Sequence, residues 1–380
     1  MGTQHHPPLK AVLVGCGNMG SGQARILSRM EEFDLVGVCD AVAENAAKVA
    51  EATGATAYPD FAEMLDAVKP DTVTVCTAND SHAAFTIAAA EAGARGVYCE
   101  KPMATNMADG RAMVEACERA GAVLVVNHQR RIGADLLAMR RLLDEGAIGK
   151  LRLLRTQCAG DLLSDGTHMI DSAMWLLGDP DVAWVFGQIY REIDQKAIER
   201  AASYHGDPAP GFRYGHAIEN GGMATFETAD GLRVEMLSGE MREHGRVYQD
   251  YEAFGSGGRL WRTDDSAEPN LFIQDAQGGD RIEGMDDWHY RPIPAPDATR
   301  GFWRPVPVEG ERRGAIGKSY QLFAEAIHTG AAHPMSGRIA LKGFEVLMAI
   351  YESARLSKRV SLPLQQDRFP LDLMIEEGRA

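Results

Sequence analysis

Two side chains in this sequence can move a proton from places where a small molecule could reach them: Lys101 in Glu100-Lys101-Pro102, and His168 in Asp165-Gly166-Thr167-His168. A lysine becomes a proton shuttle when burial or cationic neighbours lower its affinity for the proton; an imidazole does so near neutrality. A third pattern, Gly15-Cys16-Gly17-Asn18-Met19-Gly20, follows the apolar run Lys10 to Val14 and opens a helical stretch. In that context the first glycine permits a tight turn, the second lets backbone approach a pyrophosphate, and the third packs helix against strand, with the anion at the helix N-terminus. Asp40 stands twenty residues after Gly20, where a carboxylate accepts hydrogen bonds from adenosine ribose hydroxyls and repels a 2′-phosphate, favouring NAD over NADP. Each group also has a plainer reading. Asp40 can be a helix cap, Lys101 a surface lysine, and His168 a first-turn residue behind a Thr167 or Asp165 cap.

The elements that must position these groups follow from the hydrophobic period. Strands are expected at Lys10 to Val14, Leu35 to Cys39, Thr72 to Cys76, Gly96 to Cys99 and Val123 to Val126, with a weaker one at Ala55 to Tyr58 and Ala-rich helices between them. That alternation implies a parallel sheet covered on both faces. Thr77-Ala78-Asn79-Asp80-Ser81-His82 and Glu100-Lys101-Pro102 then lie just past the carboxyl ends of strands, where open α/β sheets bind ligands. After Asn127 the texture changes: a helix at Ala134 to Glu145, a strand at Lys150 to Gln157, and strand-like, turn-punctuated sequence from Trp184 to Leu260, which implies a largely antiparallel sheet. Arg262 to Glu311, rich in Pro, Gly and Asp, reads as a long excursion without chemistry. Helices at Ser319 to Thr329 and Ile339 to Lys358 precede the extended Val360-Ser361-Leu362-Pro363. The expected domains are residues 1–127 for dinucleotide binding and 128–380 for substrate and oligomer contacts. Asp165-Gly166-Thr167 introduces a helix with His168 in its first turn and Asp171 one turn on, where a carboxylate would orient the imidazole and favour its charged form.

Composition excludes several classes. The chain has 380 residues, 45% hydrophobic and 24% charged, with a net charge of −15; that sign repels nucleic acid and anionic membranes. No apolar run approaches the roughly 18 residues a membrane span needs, and Met1 to Pro8 lacks the basic and apolar regions of a secretory signal, so a cytoplasmic protein is expected. The six cysteines show no C-x-x-C pairing and read as buried reduced thiols; no metal site is expected.

In this order and spacing, Gly15 to Gly20, Asp40, Thr77 to His82 and Glu100-Lys101-Pro102 resemble the Gfo/Idh/MocA oxidoreductases; Gln129-Arg130-Arg131, Gly146 to Leu151 and the terminal Ser353-Ala354-Arg355 with Val360 to Pro363 also match that family's habits. The resemblance implies an N-terminal Rossmann domain, a C-terminal α+β domain with a large, mostly antiparallel open sheet, and a homodimer or homotetramer. It implies hydride transfer between NAD and a secondary alcohol or hemiacetal carbon of a sugar, polyol or derivative. The cofactor would meet Gly15, Gly17, Asn18, Met19, Gly20, Asp40, Thr77, Asn79, His82, Glu100 and Lys101; the substrate would meet Lys101, Arg130, Asp165 and His168. The family's second motif is Asp-x-x-x-His, and Gly166, His168 and Asp171 fit it, but Ser164 stands where the aspartate usually is and the carboxylate comes one residue later, at Asp165. Catalysis is therefore assigned to Lys101 and His168, with Asp165 assisting. Two other functions stay open: an NAD-retaining enzyme that cleaves glycosides by transient oxidation, and a non-catalytic NAD-binding sensor. His128, Arg130, Tyr204, His205, Arg213, Tyr214 and His216 are further polar candidates for sugar contacts.

Overall fold

Short β-branched runs such as Thr72-Val73-Thr74-Val75, buried at every position, can satisfy their backbone only by pairing on both sides. In a computed structural model that describes residues 6–193, 210–242, 248–275, 303–312 and 316–379, six such runs form one parallel sheet. They are β1 (Leu9–Val14), β2 (Phe33–Cys39), β3 (Thr56–Tyr58), β4 (Thr72–Val75), β5 (Gly96–Cys99) and β6 (Val123–Val126). Their order is β3-β2-β1-β4-β5-β6, the doubly wound arrangement in which chain direction across the sheet reverses between β1 and β4. The crevice at that reversal is bounded by the glycine turn after β1 and by Thr77–His82 after β4. Helices α1 (Asn18–Leu27), α2 (Ala43–Thr53), α3 (Phe61–Val68), α4 (His82–Glu91) and α5 (Met107–Ala120) connect the strands. Asp60 and Asn106 start α3 and α5 by accepting the backbone N–H groups of Glu63 and Asp109, the usual N-cap arrangement.

Helix α6 (Ala134–Asp144) leads into β7 (Leu151–Cys158), a short π-helical turn at Leu162–Gly166, and α7 (Thr167–Leu177). Beyond these come β8 (Val182–Tyr190), the two-stranded hairpin β9 (Phe212–Arg213) and β10 (His216–Ala217), then β11 (Gly221–Thr228), β12 (Arg233–Gly239), β13 (Gln249–Gly255), β14 (Gly258–Arg262), β15 (Leu271–Asp275), β16 (Arg304–Pro305) and β17 (Val360–Ser361). Nine of these strands make one sheet in the order β16-β15-β14-β13-β7-β12-β11-β8-β17. Only β7 and β12 pair in parallel; the other neighbours are antiparallel. The helix Gly337–Leu356 packs on β8 and α7, with Val346 to Tyr351 fully enclosed. The opposite face of the sheet leaves Phe186, Tyr190 and Met223 exposed.

The helix Ile316–Thr329, expected from its periodicity, lies against the first sheet, where Tyr320 stacks on Tyr98 at 4.1 Å and packs edge-on to Phe33. A bridge between Val125 and Ser336 extends this return. Among the described residues no helix is long and apolar enough to cross a membrane.

Candidate active site

The glycine turn is shaped by what its neighbours leave no room for. A Cβ on Gly20 would fall 1.7 Å from the Gly15 carbonyl oxygen, and one on Gly15, which has φ +91°, 2.4 Å from the Cys76 carbonyl oxygen. At Gly17 a Cβ would meet no protein atom within 4 Å, so backbone is open to a ligand there. Helix α1 begins without a side-chain cap or an acidic residue in its first turn, leaving its N–H groups for an anion. Asn18 and Met19 are exposed at this end. Asp40 closes the far side: the Cys16 N–H donates to its Oδ2 at 2.5 Å and the Val42 N–H to its Oδ1 at 2.8 Å. Asn45 Nδ2 also reaches Oδ1, at 3.4 Å, so Oδ2 is the oxygen that keeps a lone pair for a ribose hydroxyl. This cradle fits a dinucleotide.

Three residues expected to meet the cofactor make hydrogen bonds within the protein. Glu100 is enclosed, and its carboxylate takes hydrogen bonds from Gln23, from Asn127 Nδ2 at 2.8 Å and from the Lys101 N–H at 3.2 Å; burial raises its pKa. His82 lies between the Pro102 and Thr77 carbonyls, at 2.7 and 3.1 Å, and as a neutral ring donates to one of them. Burial pushes its pKa down to about 4. Asn79, also buried, turns its amide to His216 at 3.0 Å. Thr77 remains half-buried beside the crevice.

Lys101 projects past the end of β5, where the Lys101-Pro102 peptide is cis, and donates from Nζ to the carbonyl oxygen of Ser164 at 2.8 Å. That carbonyl is presented by the π turn Leu162–Gly166. Asp161 caps the turn by accepting the Ser164 N–H at 2.7 Å, and Glu219 accepts the Leu162 N–H at 2.6 Å. Glu219, enclosed next to Asp161, has its pKa raised to about 7, chiefly by burial. A π turn is rare and is enriched at functional sites because the extra residue redirects its carbonyls.

His168, in the first turn of α7, is buried and its Nδ1 has no partner among the described residues. Burial, then Lys101, Arg130 and His128, hold its pKa well below the usual histidine value. The expectation that Asp171 would orient this ring and favour its charge is corrected by the geometry. Asp171 receives Arg131 Nε at 2.6 Å and lies 3.5 Å from His128 Nδ1, so it serves the neighbouring element. His128 packs edge-on to His168 with ring centres 5.6 Å apart, accepts or donates to the Thr167 hydroxyl at 3.0 Å, and has its pKa lowered to about 4 by burial. Arg130 stacks over Tyr248 at 4.6 Å and pairs with Asp265; among the described residues its Nε and the adjacent Gln129 Oε1 have no partner. Buried polar groups without a protein partner are what a polar ligand would complete.

Asp165 points elsewhere. Its carboxylate receives Arg213 Nη1 at 2.8 Å and the Tyr248 hydroxyl at 3.0 Å, and it is absent from the charges acting on His168. Lys101, His168 and Arg130 are thus brought together, while Asp165 holds the wall behind them. Residue spacing did not indicate Asp161, Glu219, Tyr248 or Asp265; only Asp161, following Gly160 before a helical run, carried a capping signal. Asp265 comes from the stretch read as having no chemistry. Tyr204, His205 and residues 276–302 lie outside the described residues.

Residues 9–128 match the model of the Gfo/Idh/MocA oxidoreductase family, NAD-binding Rossmann fold. The chain is 31% identical over 263 residues to a D-glucoside 3-dehydrogenase of Escherichia coli, covering 61% of this chain and 73% of the relative. It is 29% identical over 348 residues to inositol 2-dehydrogenase 3 of Saccharopolyspora erythraea, covering 85% and 94%. The fold is also that of the WlbA dehydrogenase from Bordetella pertussis, solved with NADH and UDP-GlcNAcA: TM-score 0.70 at 22% identity, over 94% of this chain and 100% of that one. With the strand order, the glycine cradle and a relative matched over nearly three quarters of its length, the chain belongs to the Gfo/Idh/MocA family of NAD-binding oxidoreductases.

Proposed function

We propose that this protein is an NAD-dependent dehydrogenase that oxidises a secondary alcohol or hemiacetal carbon of a sugar, polyol or derivative. The observation that carries the reading is the meeting of Lys101, its ammonium fixed on the Ser164 carbonyl, with a buried, uncharged His168 at the carboxyl end of β5. The nicotinamide, when bound, supplies the hydride acceptor. Gly15, Gly17 and Gly20 seat the pyrophosphate with Asn18 and Met19 at the same helix end, and Asp40 takes the ribose hydroxyls. The carboxylate at Asp40 supports NAD over NADP, since a 2′-phosphate would meet like charge. Lys101 places a cation beside the reacting hydroxyl and so favours its ionisation. His168, uncharged at neutral pH, accepts the released proton. Arg130 Nε and Gln129 Oε1 offer a donor and an acceptor to the remaining hydroxyls, the pairing that a polyol demands. Asp165 acts from behind, holding Arg213 and Tyr248 in the pocket wall.

The similarity to enzymes named for D-glucoside and inositol substrates supports this substrate class. The exposed Phe186, Tyr190 and Met223 on the outer face of the large sheet support a homodimer or homotetramer. The test is nicotinamide absorbance with purified protein, NAD and a panel of sugars, polyols, sugar acids and glycosides, with chromatography of the products. Absorbance rising in proportion to oxidised product is expected. Free sugar without net NADH would overturn it in favour of redox-assisted glycoside cleavage.

A further inference from the structure

The hairpin β9–β10 reaches from the large sheet to the crevice of the first, and His216 stands at its end, 4% exposed. Its Nδ1 lies 2.9 Å from the Ala217 carbonyl oxygen, which can only accept, so Nδ1 donates and Nε2 is left as the acceptor. Two groups converge on that nitrogen: the Asn79 amide, 3.0 Å away, and the Ser164 hydroxyl, 3.2 Å away. Asn79 belongs to the loop after β4 that borders the cofactor crevice; Ser164 is the residue whose carbonyl receives Lys101. The contact is reinforced beside it. The Asn79 N–H donates to the Tyr214 carbonyl at 3.1 Å, and a Cβ on Gly215 would fall 2.4 Å from the Asp80 carboxyl carbon.

We propose that His216 is a positioning residue that locks the seat of Lys101 to the seat of the cofactor, the lone pair of one ring nitrogen shared between the Ser164 hydroxyl and the Asn79 amide. The arrangement also gives a partner to the serine at position 164, where the family resemblance leads one to expect aspartate. A hydroxyl there can donate to Nε2. Ser164 and His216 are a matched pair, and the proton work passes to Lys101 and His168 alone. The proposal rests on the reading of Lys101 given above, but its test does not need turnover.

His216→Ala should weaken NAD binding by about tenfold, measured by calorimetry on substrate-free protein, and speed amide hydrogen exchange in both residues 77–82 and residues 162–166. With substrate, kcat should fall by a similar factor while KM changes little. His216→Gln, whose Oε1 can take the place of Nε2, should recover most of the NAD affinity and the exchange protection. If His216→Ala does not fold, Ser164→Ala removes the hydroxyl alone: exchange should quicken in 162–166 and stay unchanged in 77–82. The proposal fails if His216→Ala binds NAD and protects 77–82 like the native chain, if His216→Gln is as impaired as His216→Ala, or if Ser164→Ala leaves 162–166 unaffected. Should Lys101 prove dispensable for turnover, the affinity and exchange results still decide the role of His216.

Discussion

The glycine turn after β1 and the π turn before α7 hold the two ends of the proposed reaction, and they are made differently. The first is six consecutive residues whose work is done by backbone, with Asp40 added from the next strand end. The second is a single carbonyl and a ring, each held from several directions. Asp161 and Glu219 fix the turn, His128 packs against His168, and Asp265 and Tyr248 aim Arg130. A site made of backbone needs glycines at set spacings and leaves a readable trace. One made of converging side chains can move its carboxylates along the chain without leaving any.

The sharpest break between the two is Lys101→Met. Loss of the ammonium should cut turnover by about 10²–10⁴-fold and leave NAD affinity, measured by calorimetry, near that of the native protein. Retained turnover would remove Lys101 from the chemistry. Next comes Asp265→Asn, which removes a carboxylate from both Arg130 and the buried Arg262; breaking a buried pair of this kind costs about 3–5 kcal/mol. Thermal melts should fall and substrate KM rise, with NAD affinity unchanged. Within the glycine turn, Gly20→Ala should destabilise by about 1–3 kcal/mol through overpacking. Gly17→Ala should instead melt normally and lose NAD affinity by about tenfold, because only the ligand occupies that space.

The smallest effects concern protons. With its pKa held low by burial, His168 stays uncharged as pH falls through the ordinary histidine value of about 6.5. The acid limb of kcat/KM that disappears in His168→Gln should therefore lie below that value. Stability has its own pH dependence. His82, His128 and His333 all have folded pKa values of about 4, so their contribution is complete above about 6.5 and is lost as pH drops toward 4. Glu219, raised to about 7, acts in the opposite sense over the upper part of that window. Melting temperature should fall between pH 6.5 and 4, less steeply than three histidines alone would require.

The first sheet was legible almost to the residue, since strands such as Gly96–Cys99 and Val123–Val126 are bounded by turns and buried on both faces. Lys101 and His168 were legible as candidates, and Lys101 is among the charges acting on His168. The inward turn of Glu100, His82 and Asn79 was not, because strand-end residues have the same local spacing whether they face ligand or protein. Nor was the target of Asp171. The i, i+3 relation to His168 is local, but Arg131 competes for the carboxylate from another element. Asp265 was hidden in a stretch with no period to read.

The helix Ile316–Thr329 has a consequence for how the chain is made. Gly96 has no side chain because the Phe323 ring fills that space, 2.6 Å from where a Cβ would be; Thr74 and Tyr98 complete their hydrogen bonds on Tyr320 and Ser319. The amino-terminal sheet thus leaves the ribosome with an uncapped aromatic face, and that face is covered only after residue 329 has been synthesised. A fragment ending near Val126 should bind hydrophobic dyes and aggregate, and a nascent chain paused before Ile316 should remain a client of chaperones.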